Sequence, residues 1–475
     1  MKRYTYLFLL QAVILASCSD WLDVLPKSRV LADEHFETES GYADQLTGVY
    51  TRMTSTSLFG RELTFGLREV LSQNYDLNVS NTLYGYVARY EYENASVKAI
   101  TTTAWAEIYT AIANLNILLE YMETVSPTKF SGRNHDVYKG EALGLRAFLH
   151  FELLRMFAPA PASNPGAPAI PYVTGYTTYV TPLSTVNEAL DLVITDLNAA
   201  VNLLRSDTLY LAPSSSAEAY NVKPARVRRF NYYAARATLA RAYLWRGDLE
   251  NARLHAEAVI DDEKFFWVHY TAAQASNITE RDVTYKNEHI FRLDILNMTD
   301  IVKPYFTSSS GTNKLSPSEM QMDNIYEVSA AALGMDYRYT YHYAYDGSER
   351  YLSKFWQPTG GTYNSMMPLI RLSEMYYIAA EAWVDRDSTA RAVGLLNTVR
   401  DARGLSNYPL AETLSVAGVK EEIYKEYRKE TLGEGQLFYF YKRLNYPVIP
   451  GSAKPGNDAV YVFPLPDNEV EFGNR

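Results

Sequence analysis

The segments ARAYLWRGDLENA at residues 240–252 and AEAWVDRDSTARA at residues 380–392 decide the fold class. In each segment an alanine precedes a second alanine by twelve positions, and an aromatic residue lies three positions after the first alanine. Small residues at this spacing let two consecutive helices approach closely, while the aromatic side chain fills the gap between them. The pattern predicts tetratricopeptide-like helix pairs. A generic antiparallel helix pair is the alternative, and it also gives an all-α scaffold.

Further helices are predicted on the N-terminal side of these pairs. Residues 105–121, 138–157 and 187–204 carry apolar side chains at the three- and four-residue spacing of a helix face. The second of these helices is expected to end before Pro159 and Pro161, because proline cannot continue a helix. The chain therefore reads as an all-α scaffold built from helix pairs.

The stretches between these helices differ in composition. Residues 205–225, 267–288 and 300–365 are rich in Ser, Thr, Gly, Pro and Tyr and show little sustained periodicity. Loops of this length in a compact protein are usually either functional or disordered, and the aromatic content argues against disorder. We expect these long, aromatic-rich loops to form one exposed face of the molecule.

The N-terminus is typical of an exported, lipid-modified chain. Lys2 and Arg3 precede an apolar run that ends at Ala16, which is shorter than the roughly 20 residues that span a bilayer. Small residues then lead to Cys18, the single cysteine of the 475-residue chain, so no disulfide can form within it. This arrangement resembles a bacterial lipobox, in which the cysteine thiol carries the lipid. An ordinary secretory signal that happens to contain a cysteine is the alternative.

These features predict the domain organisation. We expect a lipoprotein signal peptide over residues 1–17, a lipidated tether over residues 18–30 that starts at Cys18, and one α-helical domain over residues 31–475. No later apolar run approaches membrane-spanning length, so the lipid is the expected membrane anchor.

Composition and motifs exclude several classes of function. A net charge of −10 argues against a nucleic-acid partner, which requires a basic surface. The seven histidines show no metal-ligand spacing, and we expect neither a metal nor a cofactor. Sequence signatures of serine hydrolases, P-loop proteins, zinc proteases and dinucleotide-binding enzymes are absent. A glycosidase with two carboxylates across a cleft stays open, but a binding protein is the preferred interpretation.

Tyrosine is unusually frequent, with 40 Tyr against 18 Phe and 6 Trp, and it offers an apolar ring face with a polar tip. Sugar rings pack their C–H faces on such planes, while their hydroxyls need polar side chains nearby. The expected ligand contacts are Trp267 and Trp356 first, Tyr84 and Tyr86 next, and then Tyr75, Asp76, Asn78, Tyr305 and Tyr345. The alternative for each ring is packing within the core or a loop.

Short segments along the chain carry a family resemblance. They are DWLDV at 20–24, LRAFLHF at 145–151, RLSEMYYIAAEA at 371–382, NTVR at 397–400, RGL at 403–405, EYRKE at 426–430, EG at 434–435, YKR at 441–443 and YVFPLPDNE at 461–469. In this order they resemble the SusD/RagB family of outer-membrane lipoproteins. Two departures are Tyr427, where the family often has arginine, and the pair Leu437-Phe438, where it usually has two aromatic residues.

The resemblance implies fold, role and partners. Such motifs are structural, and Arg371, Glu374, Glu381, Arg400 and Glu434 are expected to form ion pairs and caps that fix helix packing. The family is implied to sit at the cell surface over a SusC-like, TonB-dependent transporter barrel, and to capture oligosaccharides, glycoprotein glycans or peptides for import without catalysis. A glycan is the preferred ligand. The alternatives are a peptide-binding protein of the RagB type and a structural or adhesive lipoprotein without a dedicated ligand.

Overall fold

The computed structural model describes residues 32–75, 77, 81–209, 226–307, 314, 315, 317–328, 335–347, 349–358 and 360–473. The α-helices are α1 Glu39–Met53, α2 Leu67–Val70, α3 Leu83–Ala88, α4 Ala95–Thr124, α5 Asn134–Phe157, α6 Val186–Leu203, α7 Tyr232–Arg246, α8 Leu249–Asp261, α9 Tyr270–Ala273, α10 Met298–Val302, α11 Glu319–Tyr326, α12 Tyr337–Tyr341, α13 Leu372–Asp385, α14 Thr389–Ala402, α15 Val416–Thr431, α16 Leu437–Arg443, α17 Asp458–Tyr461 and α18 Asp467–Phe472. Short 3-10 helices cover Pro127–Lys129, Leu204–Leu209, Arg226–Arg228, Lys286–Glu288 and Lys303–Tyr305. The strands are β1 His289–Asp294, β2 Tyr343–Asp346, β3 Glu349–Leu352 and β4 Met366–Arg371.

Consecutive helices pack side by side to form the scaffold. Helix α5 packs on α6, α6 on α7, α7 on α8, α8 on α13, and α13 on both α14 and α15. The four alanines that predict the helix pairs, Ala240, Ala252, Ala380 and Ala392, are fully buried. The predicted all-α class with tetratricopeptide-like pairs is therefore confirmed.

Local sequence sets the ends of these helices. Gly247 adopts a φ of +87° and ends α7, a backbone conformation that glycine reaches without steric cost. The side chain of Asp248 then accepts a hydrogen bond from the backbone N–H of Asn251 and starts α8. A two-residue connection of this kind forces the two helices to run antiparallel. Helix α6 starts with a capping box formed by Thr185 and Glu188.

Two small antiparallel sheets interrupt the helical architecture. Strand β1 pairs with β4, and β2 pairs with β3 as a hairpin. Helical periodicity could not predict β1 and β4, because both are buried on nearly every residue and show no alternation. The segment 300–365, which was expected to be loop throughout, also contains α10, α11, α12 and the hairpin.

One hydrophobic core extends from Phe36 to Phe463, and ion pairs cross it. The expected ion-pair roles are confirmed by the salt bridges Arg371–Glu430, Arg371–Glu434, Arg241–Glu374, Arg443–Glu381 and Arg400–Glu426. Most of these charged side chains are buried. Across the described part of the chain, no helix combines the length and the apolar content needed to cross a membrane. The predicted signal peptide, tether and Cys18 lie outside the described residues.

Candidate ligand-binding site

Phe65 brings the early part of the chain against the mid-chain loops. Its ring centroid lies 5.7 Å from that of Phe306, 6.1 Å from that of Tyr305 and 6.4 Å from that of Phe355. Such aromatic contacts bury large apolar areas and fix the approach of the segments that carry them. The residues that follow α1 therefore share a surface with the loops around residues 305 and 355.

A cluster of four polar and aromatic side chains lies at this junction. Arg61 donates from Nη1 to the hydroxyl of Tyr305 at 3.0 Å and from Nε to Glu62 at 2.7 Å. The hydroxyl of Tyr84 donates to the same carboxylate at 3.1 Å, and its ring lies 5.9 Å from that of Tyr305. Burial and the charge of Glu62 raise the pKa of Tyr84 well above its usual value, so this tyrosine stays neutral. We call these four residues the Arg61 cluster.

The Arg61 cluster presents a mixed surface to solvent. Glu62 and Tyr84 are buried and hold Arg61 and Tyr305 in place. About a quarter of the Arg61 side chain stays accessible, at 27%, and Tyr305 is half-buried. A fixed guanidinium edge beside a tyrosine face can donate to adjacent hydroxyls while the ring packs against a sugar or a peptide side chain.

A polar cleft of about 380 Å³ opens beside α10. It is lined by Ile295, Leu296, Asn297, Met298, Thr299, Asp300, Lys303, Gln357, Gly360, Asn364 and Ser365. This volume lies within the range of small-ligand sites. Helix α10 and the 3-10 turn that follows it lead from the cleft to Tyr305, so the cleft and the Arg61 cluster are joined by one short segment.

Several features prepare the cleft for a hydroxylated ligand. The Gln357 amide donates to the carbonyls of Ile278 and Arg281 at 2.9 and 2.7 Å. These two hydrogen bonds fix the Gln357 side chain in the lining of the cleft. Among the described residues that line the cleft, Asp300 is the one carboxylate. Ligand hydroxyls could exchange hydrogen bonds with the amide side chains of Asn297 and Asn364 in the lining.

Three of the predicted platform rings are buried, and the expectation that they are exposed is wrong. Trp356 is 6% exposed and donates from Nε1 to the carbonyl of Leu352 at 2.7 Å. Tyr75 is also buried and donates to Glu69 at 3.3 Å, while Tyr84 donates to Glu62. Each ring enters the core because its polar atom finds a partner there. None of the three can offer a ring face to a ligand.

The other predicted rings keep some exposure. Tyr345 is 73% exposed on β2, and Tyr86 and Tyr305 are half-buried. Trp267 is also half-buried, but it lies against Tyr376 on α13, with ring centroids 5.0 Å apart, and against Arg403. Of the predicted rings, the structure thus brings Tyr84 and Tyr305 into contact and places Trp267 against the scaffold. The predicted contacts Asp76 and Asn78 lie outside the described residues.

Sequence periodicity and composition do not reveal Arg61 or the cleft. Arg61 directly precedes Glu62 in a segment without helical or strand periodicity, and nothing local distinguishes it from a surface arginine. The three polar residues Asn297, Thr299 and Asp300, close together in one segment, are the local signal for the cleft. Within the residues that the structure describes, no group of three or more His, Cys, Asp or Glu side chains is placed to hold a metal ion.

A helical scaffold with an exposed aromatic and polar site on its loops defines a class of ligand-binding protein, and the sequence comparisons identify the family. A family model described as starch-binding associating with outer membrane matches residues 20–244, and a model described as SusD family matches residues 274–448. The chain belongs to the SusD/RagB family. The family is one of binding proteins associated with the outer membrane.

Individual relatives agree with this assignment. SusD-like protein P2 of Formosa agariphila is 22% identical over 526 aligned positions, which cover 99% of this chain and 97% of the relative. A SusD-like carbohydrate binding protein from Bacteroides vulgatus has the same fold, with a TM-score of 0.71 and 19% identity over 92% of this chain and 97% of that protein. A SusD superfamily protein from Bacteroides fragilis has a TM-score of 0.70 and 22% identity, over 92% and 98% of the two chains.

Proposed function

We propose that this protein is anchored to the outer membrane by a lipid on Cys18, binds an oligosaccharide at the Arg61 cluster and the adjacent cleft, and delivers it to a SusC-like, TonB-dependent transporter barrel. The family description, which names starch binding and the outer membrane, supports the ligand class and the location. The solved relative from Bacteroides vulgatus is itself described as a carbohydrate binding protein.

The contact between Arg61 and Tyr305 is the observation that carries the proposal. It joins a partly accessible guanidinium edge to a half-buried tyrosine ring, beside a cleft lined by amide and hydroxyl side chains. A sugar needs a flat apolar surface for its C–H face and donors and acceptors for its hydroxyls, and this surface supplies both. Tyr86, Tyr345 and Trp267 keep some exposure and remain proposed contacts.

We propose binding without catalysis. Hydrolysis of a glycosidic bond generally requires two carboxylic groups on opposite sides of the bond, about 5–10 Å apart. Asp300 is the one carboxylate among the described residues that line the cleft, and Glu62 is buried beneath Arg61 and Tyr84. Incubation of the protein with a bound oligosaccharide should return the sugar intact, as checked by chromatography.

The binding proposal is tested with the chain starting at Ser19 and a glycan array, followed by calorimetry with the best oligosaccharide. Truncation of Tyr305 to alanine should weaken binding by about 1–3 kcal/mol, by analogy with stacking of bases on aromatic rings. The matched control is Tyr179→Ala, since Tyr179 is 85% exposed on the loop between α5 and α6 and does not line the cleft. Equal affinities for the two variants would contradict the site.

The same screen separates the alternative functions. Binding of peptides but not glycans would identify a RagB-type protein. If Tyr305→Ala then lost peptide binding, the proposed site would stand, with a peptide instead of a glycan as its ligand. Failure to bind either class would favour a structural or adhesive role. The accessible rings of Tyr345 and Tyr305 favour a dedicated ligand over that last alternative. If Trp267 takes part, its fluorescence should shift when the ligand is added.

A further inference from the structure

The connection between α5 and α6 differs in composition from the rest of the chain. Residues 156–187 contain no Asp, Glu, Lys, Arg or His, although 21% of the whole chain is charged. Within this stretch residues 174–180 are all exposed, and we call them the tyrosine loop. Its Tyr176, Tyr179 and Val180 are 66%, 85% and 58% exposed. An exposed surface with tyrosine rings and no charge resembles the centre of a protein–protein interface, where tyrosine is enriched and charged residues are depleted.

A short two-stranded stem supports the tyrosine loop. The backbone N–H of Ala169 donates to the carbonyl of Ser184 at 2.8 Å, and the N–H of Ser184 donates to the carbonyl of Ile170 at 3.0 Å. Next to them, Pro168 and Thr185 form an antiparallel bridge. The stem therefore brings the two ends of the loop together.

Side chains of α4 and α5 hold the chain where it leaves the stem. The Tyr109 hydroxyl donates to the carbonyl of Pro171 at 2.8 Å, and the Asn116 amide donates to the carbonyl of Val173 at 2.9 Å. The backbone N–H of Val173 in turn donates to His150 at 3.0 Å. A loop that is held at its base loses less conformational freedom on binding, which favours affinity for a partner.

The start of the described chain lies at the same end of α4 as the base of the loop. The Tyr121 hydroxyl donates to the carboxylate of Asp33, and the Tyr121 ring stacks on Phe36 with centroids 4.5 Å apart. Five residues separate Tyr121 from Asn116, which corresponds to about 7.5 Å along the helix. The N-terminal tether therefore enters the fold close to the tyrosine loop.

This position limits what the loop can reach. Residues 18–31 span at most about 50 Å when fully extended. With the lipid on Cys18, this end of the protein stays within that distance of the outer membrane. A protein embedded in the outer membrane is thus within reach of the tyrosine loop.

We propose that the tyrosine loop docks on the outer-membrane transporter barrel, against uncharged and partly apolar loops at its outer rim. This docking rests on the proposed function, because that function supplies the barrel as the partner. The rings of Tyr176 and Tyr179 supply the apolar contact area, and the hydroxyls of Thr177 and Thr178 supply hydrogen bonds around it.

The composition of the loop favours a protein partner over the lipid bilayer. A surface that binds in the membrane interface typically combines Trp, Phe or Leu on one side with Lys or Arg on the other. The tyrosine loop contains none of these five residue types. Its mixture of Tyr, Thr, Gly and Val suits a protein surface of equally low charge.

Photo-crosslinking tests the contact directly. In the full-length, lipidated chain, p-benzoylphenylalanine replaces Tyr179, intact cells are illuminated, and the cross-linked protein is identified by mass spectrometry. A TonB-dependent barrel is the expected partner. The control replaces Tyr270 in the same way, because Tyr270 is 57% exposed on α9, and it should not cross-link to the barrel. A cross-link from the loop to a second copy of the chain, or to no protein, would overturn the proposal.

A double variant then measures the contribution of the rings. Tyr176→Ser with Tyr179→Ser should recover about tenfold less barrel than the parent when the lipidated chain is purified from outer membranes in mild detergent, because a tyrosine at the centre of an interface is often a hot spot. Tyr270→Ser should recover as much barrel as the parent. Equal recovery by the double variant and the parent would overturn the docking surface and leave the delivery to the barrel standing.

Oligosaccharide binding separates this docking from the ligand site. The double variant should keep the affinity of the parent, because neither ring lines the cleft, whereas Tyr305→Ala should lose affinity and still recover the barrel. If the double variant lost the oligosaccharide and kept the barrel, the loop would be a ligand surface and the docking proposal would be wrong. A parent chain that recovers no barrel would overturn both the docking and the proposed delivery.

Discussion

His150 is held in its neutral form by two backbone groups. Its Nδ1–H donates to the carbonyl of Arg146 at 2.9 Å, and its Nε2 accepts from the backbone N–H of Val173 at 3.0 Å. The ring also stacks on Tyr172, with centroids 3.9 Å apart. Burial, and then the charge of Arg146, lower the pKa of His150 to about 3. The neutral tautomer therefore ties α5 to the segment that leads into α6.

This arrangement predicts a loss of stability in mild acid. The unfolded chain protonates His150 near its ordinary pKa, whereas the folded chain does not, so the stabilising contribution is complete above about pH 6.5. It should fall by about 1.4 kcal/mol per pH unit as the pH drops from there toward 3. In urea unfolding between pH 7 and 5, His150→Gln should show a shallower pH dependence than the parent. His269→Gln, a change at an exposed histidine, should keep the parental slope.

The chemistry of single residues also explains why three aromatic rings that were predicted to be exposed are buried. Tyr75, Tyr84 and Trp356 occur in polar, aperiodic segments, where sequence alone suggests an exposed ring. Their polar atoms instead reach Glu69, Glu62 and the Leu352 carbonyl, which lie six, twenty-two and four positions away along the chain. Composition does not encode such partners. Arg61 was missed for the same reason, since its contact with Tyr305 spans the two halves of the chain.

At the scale of elements, the helix pairs were the most predictable feature. The alanine spacing at residues 240–252 reports a local geometry, in which a small side chain on one helix faces its neighbour. Strands β1 and β4 were not predictable, because their pairing joins segments more than 70 residues apart and their buried runs resemble helix cores. Local periodicity thus predicts elements whose partner is adjacent in sequence.

Overpacking one helix pair should destabilise the fold. Ala240 is fully buried on α7, where α8 packs against it, and a leucine there would force the two helices apart. We expect Ala240→Leu to lower the free energy of unfolding by about 1–3 kcal/mol, as measured by urea unfolding. Ala106→Leu is the matched control, because Ala106 is exposed in the middle of α4. Equal stabilities of these two variants would count against close packing at Ala240.

At the scale of the whole molecule, the proposed attachment to the outer membrane rests on the N-terminal residues. The single cysteine, Cys18, follows an apolar run too short to span a bilayer. Acyl chains on the proposed lipobox cysteine would contribute about 0.8 kcal/mol per buried methylene, and two chains together suffice for stable anchoring. Cys18→Ala should therefore fold normally but appear in the soluble fraction without palmitate label, whereas Ser28→Ala should remain with the outer membrane. Membrane retention and labelling of the cysteine variant would contradict the anchor.

A network of buried charges connects α12, within the segment 300–365, to the helix scaffold. Glu430 on α15 accepts from Arg338 on α12 at 2.9 Å, from Arg403 after α14 at 3.0 and 2.6 Å, and from Arg371 at the end of β4. All four side chains are almost fully buried. Burial alone would raise the pKa of Glu430, but the charges of Arg403, Arg371 and Arg338 hold it well below its usual value. One carboxylate therefore ties three separate parts of the chain together.

Removal of that charge should affect the whole fold. Glu430→Gln keeps the shape of the side chain but leaves three buried arginines with less compensation, and loss of one partner of a buried pair typically costs about 3–5 kcal/mol. Because the folded-state pKa is depressed, the contribution of Glu430 is present above about pH 4.3 and is lost as the pH falls below it. The variant should therefore be much less stable at pH 7 in urea unfolding, and its disadvantage should shrink in acid. Glu250→Gln is the control, since Glu250 pairs with Arg386 at the surface, where screening by water makes an ion pair weak. If Glu430→Gln were as stable as this control at pH 7, the network would not hold α12 and β4 to the scaffold.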